Sequence, residues 1–181
     1  MKKNNVYKMV LAAMFLALAL VLPFLTGQIP AVGKRLCPMH IPVMLCGFFC
    51  GPWYALAIGF IAPFMRSLLF GMPALIPDAF VMSFELAAYG VSAGILYNVF
   101  PKKKVFVYVS LICSMLIGRI FWALASLFLL CLGKAEFGFA IFIAKGFVNP
   151  LPGIILQIIV IPVLVIILGK YTWNHDSAGK I

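Results

Sequence analysis

The sequence predicts an all-α membrane protein of six transmembrane helices with both termini cytoplasmic, and three observations predict it. Of 181 residues, 65% are hydrophobic and only 10% are charged; the mean hydropathy is +1.17, outside the range of a water-soluble domain. Apolar runs recur along the chain, separated by clusters of Gly, Pro and Lys. A spanning helix needs about 20 apolar residues at roughly 1.5 Å each to cross about 30 Å of hydrocarbon, so the chain holds about six spans. It therefore reads as one integral membrane domain over 1–181, with no room for a second, soluble one.

The first helix is expected at about Val6 to Leu25, stopping near Pro23. Lys2 and Lys3 precede it as in a signal peptide, but no small-residue cleavage site follows, so it is expected to remain as the first span. Thr26 to Pro38 reads as a loop because Gly27, Pro30 and Gly33 break regular backbone. Helix two, about Met39 to Cys50, is too short to cross at full thickness and must be tilted, shielded by neighbours, or continuous with flanking residues. After the Gly51-Pro52 turn, helix three covers about Trp53 to Phe70. Gly71 to Pro77 reads as a second loop, with Asp78 expected to N-cap helix four, about Asp78 to Phe100. Pro101 and three lysines then break the chain before helix five, about Val105 to Leu132. Helix six, about Phe139 to Leu168, should be interrupted at Asn149 to Gly153, where two prolines remove backbone donors. Irregular backbone at that depth has to line a cavity or face protein.

The net charge of +10 would suggest nucleic acid in a soluble protein, but here the basic residues gather at the ends of the apolar runs. Lys2, Lys3, Lys8, Lys102, Lys103, Lys104, Lys170 and Lys180 fall on one side, against Lys34, Arg35 and Lys134 on the other. Cytoplasmic loops collect Lys and Arg, which places the termini and the triple-lysine loop inside and the connections after helices one, three and five outside. The five cysteines form no CxxC and no disulfide framework, and read as small packing residues. No metal site is expected, since the second histidine, His175, lies in the polar tail. The chain has no GxSxG, no Walker A motif and no Ser with an evident His and acid, so it is read as a non-enzyme with no cofactor, and any use of ATP belongs to a partner.

Charged side chains at membrane depth cost about 2.5 to 3.5 kcal/mol each on insertion scales, and are functional candidates by default. Arg66, Glu85, Arg119 and Lys145 are the four, and counting along their helices places all of them in the outer half. Three cations against one carboxylate would leave a positive excess, suited to a carboxylate or phosphate through charge-assisted hydrogen bonds. Asn149 and Gln157 add neutral polar groups, and Trp122, one turn from Arg119, is placed to cover an apolar part of a solute. His40 stands at the outer entrance of helix two, as a solute contact or as a cap. The competing reading pairs Arg66 with Glu85 as a structural bridge and lets Lys145 snorkel to the interface.

Ala13 and Ala17 on helix one form a small-xxx-small face that permits close helix approach in lipid. With the six-helix pattern and the stretch from Met39-His-Ile-Pro-Val-Met through Trp53-Tyr54 and Arg66 to Pro73, the chain resembles the substrate-binding S components of energy-coupling factor (ECF) vitamin transporters. The resemblance covers essentially the whole chain and is nearest to a pantothenate-type branch. It implies capture of a small water-soluble vitamin from outside the bacterial plasma membrane. It also implies docking, through Ala13 and Ala17, on a transmembrane coupling subunit that carries two ATPase subunits. In the family the loop at Thr26 to Pro38 and the loop after helix three act as a lid. The alternative is a self-sufficient secondary transporter of a small organic anion, with Glu85 as its protonatable group.

Overall fold

A computed structural model describes residues 2–26, 35–101, 104–133, 138 and 143–177. Among them six α-helices occur and no strand: α1 Lys2–Val21, α2 His40–Cys50, α3 Pro52–Phe70, α4 Phe80–Val99, α5 Lys104–Cys131 and α6 Leu151–Ser177. All but α2 are long and apolar enough to cross a membrane. Their outward residues, such as Leu68, Val99, Val105, Ile120 and Ile159, are large and apolar. The buried positions of α4 and α5 include Ser83, Glu85, Ser92, Ser110, Ser114 and Arg119. Lipid solvates hydrocarbon well, so the usual sorting is inverted and small or polar groups go to helix contacts.

The short helix is explained by its neighbours. Ten of the eleven residues of α2 are buried, and it packs against α1, α3, α4 and α6. At about 16 Å it cannot span the hydrocarbon, but shielding by protein keeps its ends from facing lipid. Gly51 ends it at φ 99°, a conformation that side chains rarely adopt, and Pro52 starts α3 at a position where its missing N–H has no partner to lose.

Helix α4 holds the bundle together, with α2, α3 and α5 against it. Close approach is possible because glycine faces backbone: a Cβ on Gly59 would stand 2.7 Å from Leu86 and Ala87, and one on Gly94 would stand 2.8 Å from Pro52. In lipid, where apolar contact alone gives little net drive, such backbone proximity supplies the dispersion contact that joins helices.

Two boundaries differ from expectation for local reasons. The first helix stops at Val21, and Leu22–Thr26 tightens into a 3₁₀ turn at Pro23. Asp78 does not cap α4: it lies inside the wide turn Leu75–Ala79, where Ile76 is extended, and Ala79 takes the cap position with no side-chain bond. The interruption before α6 is a wide turn, Ala144–Val148, closed by the Asn149 N–H on the Ala144 carbonyl at 2.8 Å. There Gly153 presses on the Arg35 and Leu36 carbonyls, with its Cβ position 2.6 to 2.8 Å from them, so this irregular stretch faces protein. Gly27, Pro30, Gly33, Lys34 and Lys134, and the expected helix start at 139–142, lie outside the described residues.

Replacing Gly59 by valine should force α3 from α4 and destabilise the protein by about 1 to 3 kcal/mol, the usual penalty of overpacking. Thermal unfolding in detergent measures it, with lipid-facing Leu68→Ala expected to stay within about 0.5 kcal/mol.

Candidate functional site

Helices α4 and α5 bring an acid and a base together in surroundings that tolerate neither alone. Arg119 Nη1 donates to Glu85 Oε1 at 2.7 Å, and the two side chains are only 10% and 3% exposed. Removing a single ion from water costs several kcal/mol, which a well-aligned opposite charge offsets. The pair is electroneutral as a unit.

Tyr89 sits one helical turn beyond Glu85 on the same face of α4, and both side chains are buried. Its ring occupies the space left by Gly118, the residue before Arg119, where a Cβ would come within 2.6 Å of the ring. His40 enters from α2, 3% exposed, with its ring edge-on to Tyr89 at 5.2 Å between centroids. His40 Nε2 is 3.7 Å from Glu85 Oε1, an electrostatic contact too long for a hydrogen bond. Neither ring nitrogen has a hydrogen-bond partner among the described residues. An unpaired buried polar atom costs about 1 to 3 kcal/mol, so a histidine left open on both sides is an unusual expense at a packed helix junction. It makes no cap bond either, since Met39 is the residue at the cap of α2.

Cys37 closes the cluster from the segment before α2. Its thiol lies toward Arg119, and its carbonyl accepts from Gln157 Nε2 of α6 at 3.5 Å. Burial, reinforced by the negative charge of Glu85, pushes the thiol up to about 12, so it remains a neutral SH group. Cys37 also holds φ 45°, a left-handed backbone that few residues other than glycine adopt.

Arg66 does not join the cluster. Its Nη1 donates to the Leu20 carbonyl at 2.8 Å, in the last turn of α1, where helix carbonyls present their negative pole. The guanidinium lies 5.4 Å from the Phe24 ring centroid and 5.6 Å from that of Phe70, and the two rings meet edge to face. The Arg66–Glu85 bridge of the competing reading is absent and Arg119 takes that place, because α5 presents its guanidinium to α4 while Arg66 points from α3 to α1. The expected cationic excess shrinks with it, as one cation is matched by Glu85 and the other is committed to α1 and two phenylalanines.

The remaining candidates are spread out. Trp122 packs with Phe80 against Val81, Ala125 and Leu129. Asn149 is exposed in the turn before α6, while Gln157 is 2% exposed and borders the cluster through Cys37. The side chain of Lys145 lies outside the described residues. Ala13 and Ala17 are exposed on α1, whose inner face is Ala12, Phe15 and Ala19. Tyr89 was missed, although its i+4 spacing from Glu85 was a usable signal. Among the described residues no group of three His, Cys, Asp or Glu side chains is arranged to hold a metal ion.

Fold and cluster together define a polytopic, all-α membrane protein with an electroneutral polar cluster enclosed among its helices. The family model of the ECF transporter, substrate-specific component, matches residues 7–165, and the chain belongs to that family. Its members are the substrate-binding components of transporters and not enzymes. No curated protein and no solved structure matches the chain.

Removing one member of the pair, by Glu85→Ala or Arg119→Ala, should lower stability by about 3 to 5 kcal/mol, because the survivor is left as a lone buried charge. Thermal or denaturant unfolding of the double variant Glu85→Gln/Arg119→Gln should show a loss well below the sum of the single losses. Separately, Arg66→Ala should lower the melting temperature through loss of a charged hydrogen bond, about 1.5 to 3 kcal/mol, and Arg66→Lys should restore only part of it because an ammonium cannot lie flat between two rings.

Proposed function

We propose that this chain is the substrate-binding subunit of an ATP-driven ECF importer, and that it holds a small water-soluble vitamin at His40, Glu85, Arg119 and Tyr89. The observation that carries the reading is His40: enclosed, rigidly oriented and unpartnered on both nitrogens, beside an ion pair in the interior of a bundle that belongs to this family. Binding sites keep a few fixed polar groups within apolar walls, and here Leu86, Met115 and the Tyr89 ring belong to the surrounding core. Gln157 supports the cluster through the Cys37 carbonyl, and Arg66 braces α1 against α3 away from the solute.

The same reading places the protein in the bacterial plasma membrane with its termini inside, so that the cluster opens outward. Ala13 and Ala17 form the face of α1 that meets a transmembrane coupling subunit bound to two ATPases. Their exposure beside a tightly packed inner face of α1 supports that role. Pantothenate remains one candidate solute, but its main ground was surplus positive charge. With Arg119 matched by Glu85, that ground is reduced to Lys145 and the exposed Arg35.

Purified chain should bind one tritiated vitamin from a panel that includes pantothenate. Arg119→Ala should weaken that binding at least about tenfold, the loss of a charged contact, and Arg66→Ala should leave it within about twofold once the protein is folded. Uptake into proteoliposomes should require the coupling subunit and ATP hydrolysis; uptake by the chain alone would establish the secondary transporter instead.

A further inference from the structure

We infer that the solute is uncharged where it meets His40, and that it presents a hydrogen-bond donor to one ring nitrogen and an acceptor to the other from two separate groups on either side of the ring. The inference rests on the cluster being the binding site, and it deepens that reading by naming the solute's chemistry.

Charge is the first argument. The ionised groups of the cluster are Glu85 and Arg119, bonded to each other at 2.7 Å, so their charges sum to zero. Arg66, which would have made the balance positive, is bonded to α1. Within the cluster a solute carboxylate or phosphate would meet no cation that is not already paired. The energy of an unbalanced ion rises steeply in a medium from which water is excluded.

Position is the second argument. His40 Nε2 lies 3.7 Å from Glu85 Oε1. Any group that bonds Nε2 therefore comes close to a carboxylate, and an anion at that place would be repelled by it. A neutral group avoids the repulsion, and if it carries an N–H it can turn that hydrogen to Glu85.

Hydrogen-bond inventory is the third. A neutral imidazole offers one N–H and one lone pair. Both are unsatisfied here. A carboxylate or phosphate group supplies acceptors alone and would leave the lone pair open, whereas a neutral solute with a donor and an acceptor on separate groups, one facing each nitrogen, satisfies both. Tyr89 braces the ring edge-on, which fixes the directions of the two nitrogens before the solute arrives.

The test is to release whatever small molecule accompanies the purified full-length protein, identify it by mass spectrometry, and measure its binding to two variants. The expected solute is neutral at pH 7 and carries a donor and an acceptor on separate groups. His40→Phe, which keeps the ring and removes both nitrogens, should weaken binding by about 100-fold, as for two lost hydrogen bonds in a buried site. His40→Gln, with one donor and one acceptor, should stay within about tenfold of the parent. Solute-free His40→Phe should melt at or above the parent, since it removes two unpaired polar atoms, and this shows that the variant is folded. A released carboxylate or phosphate overturns the inference and leaves the transporter reading standing; so does a His40→Phe variant that is folded and binds as tightly as the parent. Protein that neither carries nor binds any small molecule overturns both.

Discussion

The carboxylate of Glu85 cannot exist in a lipid-facing helical bundle without a cation fixed beside it, and the arrangement of the other helices follows from supplying one. Arg119 has to reach it from α5 at 2.7 Å, which sets how α4 and α5 lie together. Gly118 lets Tyr89 lie against α5 next to the contact. The His40 end of α2 then fills the remaining side, so a helix too short to cross the membrane stays enclosed by four neighbours and carries a side chain whose two ring nitrogens have no hydrogen-bond partner among the described residues. A buried ion pair adds little net stability over an apolar contact of the same volume, but its loss on one side is severe. Its value lies in specificity of packing and in the polar surface that it keeps inside.

Around this centre the protein separates bracing from binding. Arg66 closes the ends of α1 and α3 with a carbonyl and two aromatic rings, using charge to tie two helices. Glycines on α2, α3 and α4 let backbones meet with no side chain between them, and Ser83, Ser92 and Ser114 bond to carbonyls of their own helices. Among the described residues the buried side-chain atoms left without a hydrogen bond are the two His40 nitrogens and Ser110 Oγ.

Much of the architecture was legible in the order of residues because lipid imposes a coarse rule. Apolar runs of about 20 residues are spans, and the Gly51-Pro52 turn and the Asn149-Pro150 interruption punctuate them where the structure also turns. The charged residues were legible as candidates for the same reason. Asp78 was misread because a residue with good capping chemistry fell inside a turn whose path is set by Leu75–Ala79 packing on α3 and α4. Tyr89 carried a local signal in its spacing from Glu85. Cys37 carried none, since its place beside Arg119 depends on α6 pressing on the segment that precedes α2.

By itself the sequence determined the fold class, the approximate spans and the short list of ions, because hydropathy and the penalty for burying charge are properties of single residues and short runs. Which cation meets Glu85 was decided only by the tertiary structure. Arg66 and Arg119 are the same side chain at similar depth in two helices, and no local pattern distinguishes them. Helix rotation does: α5 turns Arg119 toward α4 and α3 turns Arg66 toward α1, so Glu85 is matched by Arg119 while Arg66 is held apart from the pair.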